Sequence, residues 1–176
     1  MGRTIWRNVE YVWSRPGATS GDVKRLEELI GSDLPDDYVQ FLLAVNGGRP
    51  IPGAFTVPGT EFRSEVNFLY GLSRETDSSN LDYQLLHPED GVGSGNLLIA
   101  TELSGNLILL ETTGPHKGYL VYADIMWEIA ESNDDDGNVH FLSRSFGHFV
   151  DYLAKSPLSP EERARLADAT WALSPD

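Results

Sequence analysis

The segment LPDDYVQFLLAVNGG, which begins at Leu34, constrains the fold more than any other part of the chain. Its large apolar residues recur at i, i+3, i+4 and i+7, which places them along one stripe of a helix: Tyr38, Phe41, Leu42 and Val45. The helix should end at Asn46-Gly47-Gly48, because asparagine and glycine tolerate positive φ. The sequence therefore predicts a short helix that buries one face and stops abruptly.

Helical patterns flank a central region of short apolar runs. A first helix is expected from Thr19 to Gly31, another over Ser145–Leu153, and a last one from the Ser159-Pro160-Glu161-Glu162 start to about Leu173. One short helix is expected in the central region, over Asn80–His87. The strands expected there are Ala54–Val57, Phe62–Leu72, Leu97–Thr101, Leu107–Glu111, Tyr119–Tyr122 and Asn138–Leu142. This order predicts an α+β fold, with an antiparallel sheet of about four to six strands packed against N-terminal and C-terminal helices.

Length and composition bound the class of protein. A chain of 176 residues with 40% hydrophobic residues suits a single domain over 1–176, with residues 160–173 as an extra C-terminal helix. The absence of cysteine excludes disulfides and thiolate zinc sites, and fits a reducing cytoplasm. The first residues do not resemble a secretory signal, and no apolar run approaches the ~20 residues of a membrane span. We expect a cytoplasmic protein that has no membrane partner.

The net charge of −14 is concentrated in the middle of the chain. Residues 75–143 carry Lys117 alone against 13 carboxylates. Nucleic acid is therefore not expected as a partner, since phosphate binding needs clustered basic residues. A basic protein would be attracted at long range, although acidity can also serve solubility alone.

The motifs that resemble catalytic or metal sites fail on spacing. Gly91-Val92-Gly93-Ser94-Gly95 has neither the glycine of a nucleophile elbow nor the lysine of a phosphate loop, so a connecting loop is the better interpretation. Asp134-Asp135-Asp136-Gly137 does not meet the requirements of an EF-hand, because Ser143 stands where the bidentate glutamate belongs; a looser divalent-ion site stays open. The four histidines share no ligand spacing. We expect no catalytic residue, no metal and no cofactor.

The order of these motifs resembles the SUKH superfamily. The resemblance rests on the Leu34 segment and on three later segments: Leu98–Ala100 with Gly105–Leu109, Gly118–Tyr122, and Ser145–Leu153, read SFGHFVDYL. It covers about residues 20–155, and leaves residues 1–18 as an N-terminal extension. The family includes a yeast regulator of cell-wall synthesis and many bacterial immunity proteins of polymorphic toxin systems.

The resemblance implies a non-enzymatic protein that binds a cognate toxin in the cytoplasm. Many such toxins are basic nucleases, which agrees with the acidic middle segment and with electrostatic steering. We expect the contact set to be acidic, with Trp127 as an aromatic anchor, for which a place in the core is an equal alternative. The set is Asp124, Trp127, Glu128, Glu131, Asp134, Asp135 and Asp136. An intracellular regulator or scaffold like the yeast relative is the alternative, and an enzyme is a third. Trp6, Trp13 or Trp171, if exposed, leave a homodimer open.

Overall fold

The computed structural model describes residues 1–73, 78, 80–86, 92–126 and 138–173. Within these ranges the strands are β1 Gly2–Trp6, β2 Val9–Ser14, β3 Arg49–Ile51, β4 Ala54–Thr56, β5 Arg63–Leu69, β6 Asn96–Glu102, β7 Leu107–Glu111, β8 Leu120–Ala123 and β9 Val139–Ser143. The helices are α1 Ser20–Ile30, α2 Asp36–Ala44, α3 Leu81–Leu86, α4 Phe146–Ala154 and α5 Pro160–Ala172. The predicted α+β class is confirmed, and all sheet pairings are antiparallel.

Helix α1 begins and ends as its sequence predicts. Thr19 caps it through a capping box: the Asp22 N–H donates to Thr19 Oγ1 (3.1 Å), and the Thr19 N–H donates to Asp22 Oδ2 (2.9 Å). Gly31 ends the helix at φ 71°, a left-handed conformation in which glycine has no Cβ penalty. Val23 and Leu26 are the buried residues of its inner face.

Asn46 ends the second helical segment and also joins three parts of the chain. Its φ is 61°, and its side chain is buried. Its Nδ2 donates to the Pro16 and Leu72 carbonyls, both at 2.8 Å, while the Leu72 N–H donates to Asn46 Oδ1 (2.7 Å). The stop signal is thus a buried hydrogen-bonding hub as well.

The stripe on α2 packs into an aromatic cluster. The Phe41 ring lies 4.8 Å from that of Phe146 on α4, 5.5 Å from Tyr11 on β2 and 5.8 Å from Trp6 on β1. Tyr38 meets Phe146 edge-on at 5.0 Å. Tilted and edge-on rings are the favoured geometries for aromatic pairs. The cluster holds both helices against the N-terminal strands.

Residues 1–14, which the sequence analysis left outside the family-like region, form two of the strands. A two-residue turn joins β1 to β2, and both of its residues have positive φ (Arg7 50°, Asn8 61°), as a type I′ hairpin requires. Strand β2 then pairs with β3 to complete a three-stranded sheet in the order β1-β2-β3. The extension therefore contributes directly to the core, through Val9 and Tyr11.

The second sheet has six strands in the order β4-β5-β6-β7-β8-β9, and it curls. Phe55 on β4 contacts Tyr122 on β8 with ring centroids 6.0 Å apart, although three strands separate β4 from β8 in the sheet. The pairings of β5 with β6, of β6 with β7 and of β8 with β9 each contain a register shift. Such bulges increase twist and bend a strand, which explains the curl.

Helix α5 closes the fold over the N-terminal sheet, with Ala167 buried beside β2 and β3 residues. Arg163 fixes its position through backbone carbonyls. Its guanidinium donates to the carbonyls of Ala154 (3.0 Å), Ser156 (3.0 Å), Leu158 (3.1 Å) and Asn8 (3.4 Å). One side chain thus ties the α4–α5 connection to the β1–β2 turn.

Candidate functional site

The curl of the large sheet brings its two outer strands, β4 and β9, to the sides of one groove. A cavity of about 240 Å³ lies between these two strands, and an adjoining cavity of about 360 Å³ is lined by β4 and β5. Residues of α4 and of the segment that follows it line both cavities. The cavities share Thr56, Tyr152 and Lys155. We call this feature the seam groove and define it by six lining residues: Thr56, Arg63, Phe141, Arg144, Tyr152 and Lys155.

The groove presents apolar surface to solvent. Phe141 is 45% exposed and Tyr152 is 47% exposed, while Phe149 lies buried beneath them. Local structure explains both exposed rings. Phe141 is at an outward-facing position of β9, two residues after the exposed Val139. Tyr152 lies one helical turn from His148 on the outer face of α4. An exposed pair of aromatic rings in a concave surface is typical of a site that another molecule covers.

Three cations surround this apolar floor: Arg63, Arg144 and Lys155. None of them has an ion-pair partner among residues 1–73, 78, 80–86, 92–126 and 138–173, and no carboxylate from these ranges lines either cavity. Arg3 and Arg7, in contrast, pair with Glu10 and Asp151. The groove is thus a locally basic site on a protein with a net charge of −14.

The backbone at the groove also has unused hydrogen-bonding capacity. Strand β9 pairs with β8 on one side only, and β4 pairs only with β5, as far as the described strands extend. An edge strand presents free N–H and C=O groups that can pair with another extended segment. The groove therefore combines an apolar floor, a cationic rim and an open strand edge.

The predicted acidic contact set is largely outside the described residues. Trp127, Glu128, Glu131, Asp134, Asp135 and Asp136 fall in the range 127–137, which the structure does not describe. Asp124 is described, and its side chain is only 1% exposed, next to a backbone hydrogen bond from its N–H to the Asn138 carbonyl (2.7 Å). Its burial does not fit the expected role of a surface contact.

The other described carboxylates of the middle segment do not form a free acidic face. Asp82 pairs with Arg25 at 2.6 Å. Glu102 is 1% exposed, and it accepts hydrogen bonds from the N–H groups of Ser104 (3.0 Å) and Asn106 (2.9 Å) and from the Ser64 hydroxyl. Three of the four described carboxylates in residues 75–143 are therefore buried or paired, and only Glu111 is neither. The mechanism of a negatively charged docking face receives no support from these four.

Sequence reasoning missed the seam groove because its walls come from distant parts of the chain. One local signal was available. His148, Tyr152 and Lys155 recur at i, i+4 and i+7 on α4, which predicts an outward-facing stripe with an aromatic side chain at its centre. Neither β4 nor β9 reveals from its own sequence that the sheet curls to bring them together.

Among the described residues, the pKa values that are shifted furthest belong to groups in the core. Burial raises the pKa of the Tyr11 and Tyr38 hydroxyls well above the ordinary tyrosine value. Both phenols belong to the aromatic cluster, so their shift reflects packing. Within the ranges that the structure describes, no three His, Asp or Glu side chains converge to hold a metal ion. No helix among these residues is both long and apolar enough to cross a membrane.

Comparison with known proteins identifies a family. The sequence model of the SMI1 / KNR4 family (SUKH-1) matches residues 17–152, which include α1, α2, the whole six-stranded sheet and most of α4. No curated protein matches the chain significantly. The match contains every lining residue that defines the seam groove except Lys155.

Proposed function

Because this chain belongs to the SMI1 / KNR4 family (SUKH-1), we propose that it is a non-enzymatic cytoplasmic protein that works by binding another protein. Family membership supports an immunity-protein-like or SMI1-like role. Of these two we propose the first: the chain is an immunity protein that neutralises a cognate toxin of a bacterial polymorphic or contact-dependent system. The observation that carries the proposal is the seam groove, an exposed apolar concavity on a family member.

The charge of the protein favours a basic toxin, such as a nuclease. A net charge of −14 produces an attractive field for a cationic partner, and such steering can raise association rates from ~10⁶ M⁻¹s⁻¹ to ~10⁸ M⁻¹s⁻¹ or more at low salt. This argument uses the total charge alone. It does not require the carboxylates of residues 75–143 to form one contact face.

The test is to look for a large multidomain protein encoded beside this chain's gene, and to express its C-terminal domain alone and together with this chain. We expect growth arrest by the domain alone, rescue by co-expression, and a complex in which the association rate falls steeply as salt rises. If the purified proteins do not bind at low ionic strength and co-expression does not restore growth, the proposal fails. Recovery of several weak partners without any toxin would favour the regulator or scaffold alternative.

A further inference from the structure

The local charge of the seam groove is positive, whereas the net charge of the protein is negative, and this difference indicates what occupies the groove. We propose that the groove binds an extended segment of the partner protein in which an apolar side chain is flanked by carboxylates. The segment would pair with the edge of β9 that no described strand occupies, and it would place its apolar side chain against Phe141 and Tyr152. The identity of the partner as a toxin rests on the proposed function, whereas the chemistry of the segment rests on the groove alone.

An extended chain can present its side chains to the floor and to the rim of the groove at the same time. Side chains at i and i+2 of a strand point to the same side, and successive residues rise about 3.3 Å. A segment with the pattern acid-x-aromatic-x-acid therefore spans about 13 Å on one face. Its aromatic side chain can lie on the apolar floor while its two carboxylates approach the cationic rim formed by Arg63, Arg144 and Lys155.

Local charge outweighs net charge at this site. The Debye length is about 8 Å at physiological ionic strength, so carboxylates farther from the groove are largely screened, whereas cations that line it act at contact distance. Because the described lining contains no carboxylate, a bound carboxylate meets three cations without a competitor among those residues. The groove should therefore prefer an acidic segment even though the protein as a whole is acidic.

Two other occupants fit the observations less well. A nucleic acid needs many phosphate contacts, and the groove supplies three cations around an apolar floor. In a symmetric pair, a second copy would bring its own three groove cations against those of the first, and like charges at contact distance oppose that arrangement. A toxin can be basic overall and still carry one short acidic and aromatic segment.

The first experiment compares three peptides by ¹⁵N NMR titration of the full chain. The probes are Ac-Thr-Glu-Thr-Phe-Thr-Glu-Thr-NH₂ and its analogues with both Glu replaced by Gln or by Lys. We expect shifts of the Phe141 and Arg144 amides, and affinities in the order Glu, Gln, Lys, with the Glu peptide at least about threefold tighter than the Gln peptide. Added salt should weaken the Glu peptide. The reverse order, shifts elsewhere, or no binding at millimolar peptide would overturn the proposal.

The second experiment uses variants of equal charge. Arg144→Glu with Lys155→Glu reverses two exposed rim cations, and Lys24→Glu with Arg165→Glu reverses two exposed cations outside the groove. We expect the rim variant to bind the Glu peptide about tenfold more weakly than the wild type does. The affinity of the control variant should change by less than about twofold. Thermal unfolding verifies that both variants fold. Equal effects from the two variants would show that net charge, and not the groove, decides binding.

The same variants separate this inference from the proposed function. If the toxin domain binds and the rim variant neutralises it as well as the control variant does, the groove inference fails while the immunity function stands. If the Glu peptide binds in the groove but no toxin is neutralised, the immunity function fails and the binding chemistry stands. Sedimentation that shows a dimer abolished by the rim variant would identify a second copy as the occupant and refute our choice.

Discussion

Replacement of Asn46 by glycine should separate the two roles of this residue. Glycine keeps the positive φ of 61° without strain, so the backbone can follow the same path. The substitution removes three side-chain hydrogen bonds: two donated to the Pro16 and Leu72 carbonyls at 2.8 Å, and one accepted from the Leu72 N–H at 2.7 Å. The variant thus tests the buried hub while the turn conformation is retained.

The expected loss of stability follows from these bonds. Each is worth about 1 kcal/mol net, and a buried partner that is left unsatisfied costs more, so Asn46→Gly should lower the free energy of unfolding by about 3 kcal/mol. For a domain of this size that corresponds to a fall in Tm of roughly 6–12 °C. Since domains are typically stable by about 5–15 kcal/mol, the variant should still fold.

Asn8 supplies the matched control. It has the same φ of 61°, its side chain is exposed, and Asn8→Gly introduces the same extra freedom in the unfolded chain. The difference between the two variants in the free energy of urea unfolding therefore isolates the contribution of the side-chain hydrogen bonds. The m value, which is the slope of that free energy against urea concentration, should not change. If Asn46→Gly is within about 1 kcal/mol of Asn8→Gly, the account of Asn46 as an energetic hub is wrong.

Two further predictions concern α5. Arg163→Ala removes the guanidinium that donates to four backbone carbonyls, and it should lower the free energy of unfolding by about 2 kcal/mol in chemical denaturation. The exposed Arg165→Ala should lower it by less than about 0.5 kcal/mol. Equal losses from the two variants would contradict the role of Arg163 in fixing α5. Hydrogen bonds from the Ser159 N–H, and secondarily from its hydroxyl, hold the pKa of the Glu162 carboxyl below the ordinary glutamate value. A carboxyl with a lowered folded pKa adds stability above its unfolded pKa and loses it as pH falls through the folded value. The Tm advantage of wild type over Glu162→Gln should therefore decline as pH falls below about 4.5; a pH-independent advantage would refute the assignment.

The helices could be predicted from sequence because their signals are local. The stripe on α2 and the capping boxes of α1 and α5 each depend on residues within a few positions of one another, and the structure confirms them. The hairpin of β6 and β7 was predicted for the same reason, from two apolar runs joined through a glycine-containing turn.

The N-terminal hairpin was missed although its signal was also present. Asn8 stands between two runs rich in aromatic and β-branched residues, which is typical of a two-residue turn. The resemblance to a known family covers residues 20–155, and the hairpin lies before them, in residues 2–14. A pattern outside a recognised region has the same physical meaning as one inside it.

The candidate site could not be predicted, because it depends on how far a sheet bends. The seam groove exists only because three register shifts curl the strands until β4 and β9 lie on either side of α4. Charge counting along the chain pointed to residues 75–143, and the described carboxylates there are mostly buried or paired. Linear charge density therefore did not predict where the four described carboxylates of this segment lie.

The pairing of β3 with β2 means that the unit that folds is larger than the unit that the family shares. Strand β3 lies inside the matched range 17–152, yet its partner strand lies before that range and Ala167, which α5 buries beside it, lies after. A fragment cut to the matched boundaries would lose Val9 and Tyr11 from its interior. It would also expose the edge of β3 that β2 covers, and an exposed strand edge favours aggregation.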